Sequence, residues 1–249
     1  MKMSKLAIID GDFICYKVCP NSKKQEEPKT LQQTLDLVDW YIEEKIIKST
    51  DIDGYIAYLG GKGNFRYSLT DTYKNNRTSE RPPFFREVKE YLVGRWNFNI
   101  VDGIEAEDAV GITLTKYPDA LLIYEDHDLH QLPGFRYNPT KGVFGEISRE
   151  EANYFLMCQL LHGCSTDKVR GLKKGLGEKT AIKLLDGLPD EALLFEVFDL
   201  YMLEYGEHCG INEFHTQYNL LKVLRDKLDF IIPEPTKVPK KPDLITNQF

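Results

Sequence analysis

The chain has 249 residues, of which 42% are hydrophobic, 12% aromatic and 29% charged, a composition that excludes a disordered or fibrous protein. No apolar run approaches the roughly 20 residues of a membrane span, and the N-terminus passes from two lysines into a strand-like segment without a cleavage site. Five cysteines, none in a CxxC pair, favour a reducing compartment over a disulfide framework or a zinc ribbon. We expect an unprocessed cytoplasmic protein.

The charge balance is acidic, with 32 Lys and Arg against 39 Asp and Glu and a formal net charge of -7. This excludes a protein that coats nucleic acid through a general excess of positive charge. A cluster of carboxylates that binds divalent cations would be acidic for a local reason, and it can coexist with a basic face.

In chain order, short apolar strands alternate with segments of helical period, which predicts a parallel α/β sheet. The predicted strands are Leu6–Ile9, Tyr55–Leu59, Asn97–Val101 and Ala120–Tyr124, and the predicted helices are Leu31–Ile47, Phe84–Arg95 and Glu105–Lys116. After residue 147 the pattern is helical: Ser148 and Glu151 form a capping box for a helix to Leu161, and Lys179–Leu185, Pro189–Tyr205 and Glu213–Leu228 follow. We predict an α/β domain over 1–147, a helical subdomain over 148–232 and an extended Pro/Lys-containing tail over 233–249.

Acidic residues recur just after predicted strands or at the start of the following helix. They are Asp10, Glu105, Glu107, Asp108, Asp126, Asp128 and, ahead of a glycine-rich loop, Asp167. In a parallel sheet these positions converge at one edge, where hard oxygen ligands suit Mg²⁺ or Mn²⁺, and two such ions suit phosphodiester hydrolysis. Each group also has a structural interpretation, because acids in a first helical turn complement the helix dipole and others favour turns.

Basic and aromatic residues supply candidate DNA contacts. Lys74 and Arg77 lie one helical turn apart and could hold the scissile phosphate, although they could equally form a solvated basic face. Tyr73 could stack on a terminal base or pack in the core. Lys17 is a further substrate-binding candidate.

The segment from Asp167 to Ala181 has the most diagnostic spacing. Its glycines could turn the backbone closely against a DNA phosphate at the start of the next helix, without reading sequence. The candidate contacts there are Lys168, Arg170, Gly171, Lys173, Lys174, Gly175, Gly177 and Lys179. A glycine-rich helix C-cap is the alternative. The five histidines show no metal-ligand spacing and are interpreted as surface or packing residues.

Several motifs together resemble the 5′-to-3′ exonuclease and flap endonuclease family. They are IDGD at 9–12, FR at 65–66 with YKNNR at 73–77, GIEAED at 103–108, DHDL at 126–129, and the glycine-rich stretch 163–177 followed by EKTA. The resemblance covers about Lys5 to Leu185 and is closest to the smaller phage-type members.

The resemblance implies a PIN-like α/β domain, a helix–two-turn–helix DNA clamp that can hold K⁺, and metal-dependent cleavage that leaves a 5′-phosphate. The implied substrate is DNA with a 5′ end, flap or overhang, or an RNA primer strand, acted on by a monomer in replication or repair. The segment Thr78–Gly94 is short for a large arch, which favours exonuclease action over the cutting of long flaps.

Two departures from the family pattern leave a second hypothesis open. Gly60 stands where the family has an aspartate after the second strand. Cys164 stands directly after Gly163, where the family has a second aspartate. A structure-specific DNA-binding protein with a decayed nuclease centre is therefore the alternative function. If both positions face the metals, Gly60→Asp and Cys164→Asp should lower the Mg²⁺ requirement, unless residue 60 needs a positive φ that only glycine adopts readily.

Overall fold

The computed structural model of the chain describes residues 5–20, 30–75, 80–227 and 229. Its centre is a six-stranded sheet in the order β3-β2-β1-β4-β5-β6. The strands are β1 Leu6–Asp10, β2 Gly54–Gly60, β3 Asn99–Val101, β4 Leu121–Ile123, β5 Gly134–Asn138 and β6 Val143–Ile147. The first five run parallel, and β6 returns antiparallel to β5.

The helices surround the sheet and then form a separate group after it. They are α1 Asp12–Val18, α2 Leu31–Trp40, α3 Lys48–Thr50, α4 Phe85–Trp96, α5 Ala106–Lys116, α6 Arg149–His162, α7 Glu178–Leu185, α8 Asp190–Tyr205 and α9 Glu207–Leu221. A π-helical stretch, Tyr41–Ile47, joins α2 to α3, and short 3₁₀ turns cover Phe65–Ser68 and His127–Gln131.

The four predicted strands are present, and the predicted parallel α/β sheet is confirmed for the first five strands of the structure. The β5–β6 hairpin was not predicted, because β6 is exposed along most of its length and neither strand shows an apolar run. The capping box of Ser148 and Glu151 is confirmed at the start of α6. The prediction of a last helix over Glu213–Leu228 was wrong at both ends, since α9 begins at Glu207 and ends at Leu221.

Two layers of apolar side chains cover the central strand. Ala7 and Ile9 of β1 pack with α1, α2 and α4 on one face, and Ile8 packs with α5 on the other. Each fully buried isoleucine contributes about 1.5–3 kcal/mol relative to an exposed one. A third core joins α6 to α9, with Tyr201 and Phe214 at its centre. In the described part of the chain, no helix is long and apolar enough to cross a membrane.

Candidate active site

The carboxyl ends of β1 and β4 lie side by side at the point where the strand order changes direction. Ile9 pairs with Ile123, so that Asp10 at the end of β1 lies near the loop that follows β4. Ligand sites of open parallel sheets form at such a switch point. Helix α5, which follows β3, also begins here, with Glu105 as its N-cap.

Five carboxyl groups meet at this edge of the sheet, and we call them the acidic cluster. They are Asp10, Asp12, Glu105, Glu107 and Asp126. Burial, reinforced by neighbouring carboxylates, raises the pKa of Asp10 and that of Glu107 well above their usual range. A divalent cation would relieve this repulsion, and the all-oxygen donor set fits Mg²⁺ or Mn²⁺.

Asp126 and Asp128 lie on either side of His127 at the start of the 3₁₀ turn after β4. Asp126 accepts the backbone N–H of Asp128 at 2.9 Å, and its oxygen lies 3.3 Å from Nδ1 of His127. Although burial opposes it, the contact with His127 lowers the pKa of Asp126, whereas burial and Asp126 raise the pKa of Asp128 to about 6. The two acids therefore differ in charge at mildly acidic pH. The sequence interpretation of His127 as a surface or packing residue missed these contacts.

Lys74 is the cation at the centre of the site, but it does not lie on a helix. Residues 71–75 form turns, and Lys74 itself has φ +51, so the predicted helical pairing of Lys74 with Arg77 is wrong for the Lys74 half. Its side chain is buried and its ammonium group contacts Glu105 and, at 3.2 Å, Asp167. Burial opposes the charge, but these acids raise the pKa of Lys74, which is therefore charged at neutral pH. The solvated basic face is excluded for Lys74.

Asp108 occupies a different position from the other predicted ligands. Arg66 donates to both of its oxygens, at 2.6 and 2.8 Å, in a fully buried pair. The same carboxylate accepts the N–H of Glu105, which completes the capping box of α5. It also accepts the N–H of Leu224. Since its oxygens are used in this way, the structure favours a structural role for Asp108 over the predicted metal-ligand role. Arg66 also donates to the carbonyl oxygens of Leu220 and Lys222, which ties the C-terminal end of α9 to the site.

Asp12 fills the position where Gly60 departs from the family pattern. The N–H of Gly60 donates to both oxygens of Asp12, at 3.1 and 3.2 Å. A Cβ atom on Gly60 would lie 2.8 Å from Oδ2 of Asp12 and 4.0 Å from the N atom of Ala106. Gly60 does not have a positive φ, so the conformational explanation for glycine at this position is excluded. The carboxylate of Asp12 occupies the space that a side chain at residue 60 would enter.

Cys164 lies beside His127 and Asp128 rather than in the acidic cluster. Its thiol is buried, and it can bring a sulfur atom within 4.8 Å of donor atoms on His127 and Asp128. Gln159 donates to Asp128 at 2.5 Å and is itself held by Gln131 at 2.7 Å. Sequence reasoning missed these two glutamines, because they come from separate elements and match no motif.

The glycine-rich segment forms the loop between α6 and α7, and its outer part is open to solvent. A Cβ atom added to Gly175 or Gly177 would have no neighbour within 4 Å among the described residues, so another backbone could approach them closely. Lys168, Lys174 and Lys179 are exposed around this loop. Gly177 also caps α7, whose positive N-terminus points at the same face.

The inner part of the same loop has a structural role. The N–H of Gly171 donates to Gln217 at 3.0 Å, and a Cβ atom on Gly171 would overlap the backbone of Gly163. Arg170 is paired with Glu213, and Lys173 is paired with Glu204 at 2.9 Å. The predicted phosphate contacts therefore divide into an open group and a group that is already bound within the protein.

The remaining predicted substrate contacts are Tyr73, Lys17 and Arg77. Tyr73 is buried and its hydroxyl donates to Glu105 at 3.2 Å, which favours the packing interpretation over base stacking. Lys17 is exposed on α1 and lies 3.2 Å from Glu125. Arg77 and the tail 233–249 lie outside the described residues.

Comparison with known proteins finds one relative by sequence and others by fold. No family model matches the sequence. Over 226 residues the chain is 27% identical to DNA polymerase I of Bacillus subtilis (strain 168), an alignment that covers 78% of this chain and 24% of that protein. The chain thus spans about a quarter of the length of this relative.

Solved structures share the architecture more completely. The T5 D15 protein co-crystallised with metal ions has a TM-score of 0.58 at 19% identity, covering 87% of this chain and 88% of that one. The chain has the PIN-like 5′ nuclease fold. The D15 flap endonuclease of bacteriophage T5 in complex with DNA and metal ions has a TM-score of 0.54 at 16% identity, over 87% and 98% of the two chains. The catalytic core of Rad2 in complex with a DNA substrate has 0.53 at 15% identity, over 91% and 76%. The predicted fold class is confirmed.

Proposed function

We propose that this chain is a divalent-metal-dependent 5′-to-3′ exonuclease and flap endonuclease that hydrolyses DNA and leaves 5′-phosphate products. The observation that carries the proposal is the acidic cluster at the switch point of the sheet, with charged Lys74 beside it. Its support from comparison is that similar folds are found in a flap endonuclease and in Rad2, both bound to DNA.

We propose two sites for Mg²⁺ or Mn²⁺ among these carboxylates. Asp10, Asp12, Glu107 and Asp126 would hold one ion, and Asp128 with Asp167 would contribute to the other. Buried carboxylates whose pKa values are raised by one another are the groups that a cation stabilises most. When bound, the ions would activate water and neutralise charge on the scissile phosphate.

The protein's own groups position the substrate. Lys74 is held between Glu105 and Asp167, and it would offset the negative charge that develops on the phosphate. Arg77 is proposed for the same task on the evidence of the sequence motif alone. Gly175, Gly177 and the lysines around them would bind the duplex backbone, and the carbonyl groups of this loop could bind K⁺.

The alternative function is a structure-specific DNA-binding protein without catalysis, for which Cys164 is the main support. Asp12 weighs against it, because a centre that had decayed at Gly60 would not be expected to acquire a carboxylate in contact with the same residue.

One assay separates these functions. A duplex with a 5′ overhang or a 5′ flap, labelled at its 5′ end, is incubated with the protein in Mg²⁺, Mn²⁺ or EDTA. Release of the label in either metal but not in EDTA supports the nuclease, and its loss in Asp126→Asn assigns cleavage to this site. Binding of the same duplex without release in any condition supports the alternative.

A further inference from the structure

A group of three side chains at the edge of the site differs in chemistry from the acidic cluster. His127, Asp128 and Cys164 can each place one donor atom so that all three lie within 4.8 Å of one another. Nε2 of His127 lies 3.4 Å from Oδ1 of Asp128. The group therefore combines a nitrogen, an oxygen and a sulfur donor in one place.

The backbone beneath these side chains is well fixed. His127 and Asp128 begin the 3₁₀ turn, where Asp126 caps the N–H of Asp128. Cys164 is held by two backbone hydrogen bonds with Val169, both of 2.9 Å. Gly163, with φ +77, packs against the same small hairpin so closely that a Cβ atom would overlap the carbonyl oxygen of Val169.

Neighbouring side chains also fix the donors. Gln159 holds Asp128 through an amide hydrogen bond, and Gln131 orients Gln159 in turn. The Sγ atom of Cys164 lies 2.9 Å from the hydroxyl oxygen of Thr166. Contacts of this kind, which orient metal ligands from behind, commonly change metal affinity about 10–100-fold when they are removed.

A set of imidazole, carboxylate and thiolate ligands suits borderline divalent ions. Zn²⁺ and Co²⁺ accept nitrogen and sulfur donors in tetrahedral sites, whereas Mg²⁺ prefers oxygen donors in octahedral geometry. Three protein ligands would also leave one position for water or a phosphate oxygen.

We propose that His127, Asp128 and Cys164 form a site for a borderline divalent cation of the Zn²⁺ class, chemically distinct from the all-oxygen acidic cluster. It shares Asp128 with the second ion position proposed above, where His127 and Cys164 take the place of further oxygen ligands. The site binds its ion in the absence of DNA, and its existence does not depend on whether the chain cleaves DNA. Failure of the nuclease assay would therefore not contradict this site, and failure to bind such an ion would not contradict the nuclease function.

The test uses Co²⁺ as a spectroscopic probe of the full chain without DNA. A cysteine ligand gives a thiolate-to-cobalt charge-transfer band in the near ultraviolet, and a tetrahedral site gives visible d–d bands. We expect both bands to saturate at one ion per chain, to be displaced by Zn²⁺ and to persist in excess Mg²⁺. Cys164→Ser should abolish the charge-transfer band, and His127→Ala should weaken Co²⁺ affinity by at least about tenfold.

The exposed neighbours His208 and Cys209 provide a matched control. The variant His208→Ala/Cys209→Ser removes the same residue types from the exposed side of α9 and should leave both bands unchanged. His127 is largely exposed, so His127→Ala keeps the proposal testable if Cys164→Ser fails to fold. A charge-transfer band that survives Cys164→Ser, a band that disappears with the control, or no band in the folded wild type would overturn the proposal.

Discussion

Exchanging the carboxylate between positions 12 and 60 tests how the site compensates for glycine at the end of β2. Asp12→Ser should raise the Mg²⁺ or Mn²⁺ concentration for half-maximal cleavage by at least about tenfold, because it removes a ligand. Gly60→Asp alone should not lower the metal requirement, contrary to the expectation from sequence. Its Cβ atom would lie 2.8 Å from Oδ2 of Asp12, and its carboxylate would crowd a second one.

Such crowding in a packed site costs about 1–3 kcal/mol of unfolding free energy. For a chain of this size each kcal/mol corresponds to about 2–4 °C in melting temperature. Gly60→Asp measured in EDTA should therefore melt about 2–12 °C below the wild type. In Asp12→Ser/Gly60→Asp the shorter serine relieves the contact, and both melting temperature and metal requirement should return toward wild-type values.

Melting is followed by circular dichroism in EDTA, and cleavage is followed across a metal titration with the 5′-labelled overhang duplex. Two results would refute the reasoning. An unchanged metal requirement in Asp12→Ser would remove Asp12 from the ligand set, and a Gly60→Asp variant as stable as wild type would mean that Asp12 does not occupy this space.

Other contacts of the site are tested by substitution and by pH. Asp126→Asn should reduce cleavage at least about a hundredfold. DNA binding should stay equal or become tighter, because a negative charge near the phosphate is removed, and weaker binding in a gel-shift assay would contradict this. Lys174→Ala should lower duplex affinity on every sequence and flatten the salt dependence by about 0.9 units of slope, whereas Lys173→Ala, whose lysine is paired with Glu204, should do less. Arg66→Ala should cost about 3–5 kcal/mol in urea unfolding because it leaves a buried carboxylate without its cation. The control Arg86→Ala removes an exposed ion pair and should cost much less, so equal losses would be evidence against the buried pair. In EDTA the melting temperature should fall as pH rises from about 4 to about 6, because acids whose pKa values are raised on folding bind protons more readily in the native state. Mg²⁺ should reduce this fall, and a rise in melting temperature over the same pH range would contradict the prediction.

The sheet and the place of the acidic residues could be predicted from the sequence because both follow from local pattern. Buried parallel strands are continuous apolar runs, and an acid directly after such a run has only one edge of the sheet on which to lie. The β5–β6 hairpin could not be found in this way, since an exposed antiparallel edge leaves no apolar run.

The role of each acidic residue depends on contacts between residues that are distant in the sequence. Asp108 and Glu107 are neighbours in one motif, but only the fold shows that Asp108 faces Arg66 while Glu107 faces the cluster. Asp12 likewise follows Asp10 by two residues, and its relation to Gly60 needs β2 to lie beside β1. In the glycine-rich loop, Arg170 and Lys173 differ from the open lysines through their acidic partners on α9 and α8.

The most direct test of the nuclease function is the polarity of cleavage. A 5′-overhang duplex that carries different dyes at the 5′ and 3′ ends of one strand is incubated with the protein in Mn²⁺ and sampled over time. We predict that the 5′ dye is released first in short products, that the 3′-labelled remainder carries a ligatable 5′-phosphate, and that EDTA or Asp126→Asn abolishes both. Release of the 3′ dye first, or tight binding of an intact strand in every metal, would contradict the account.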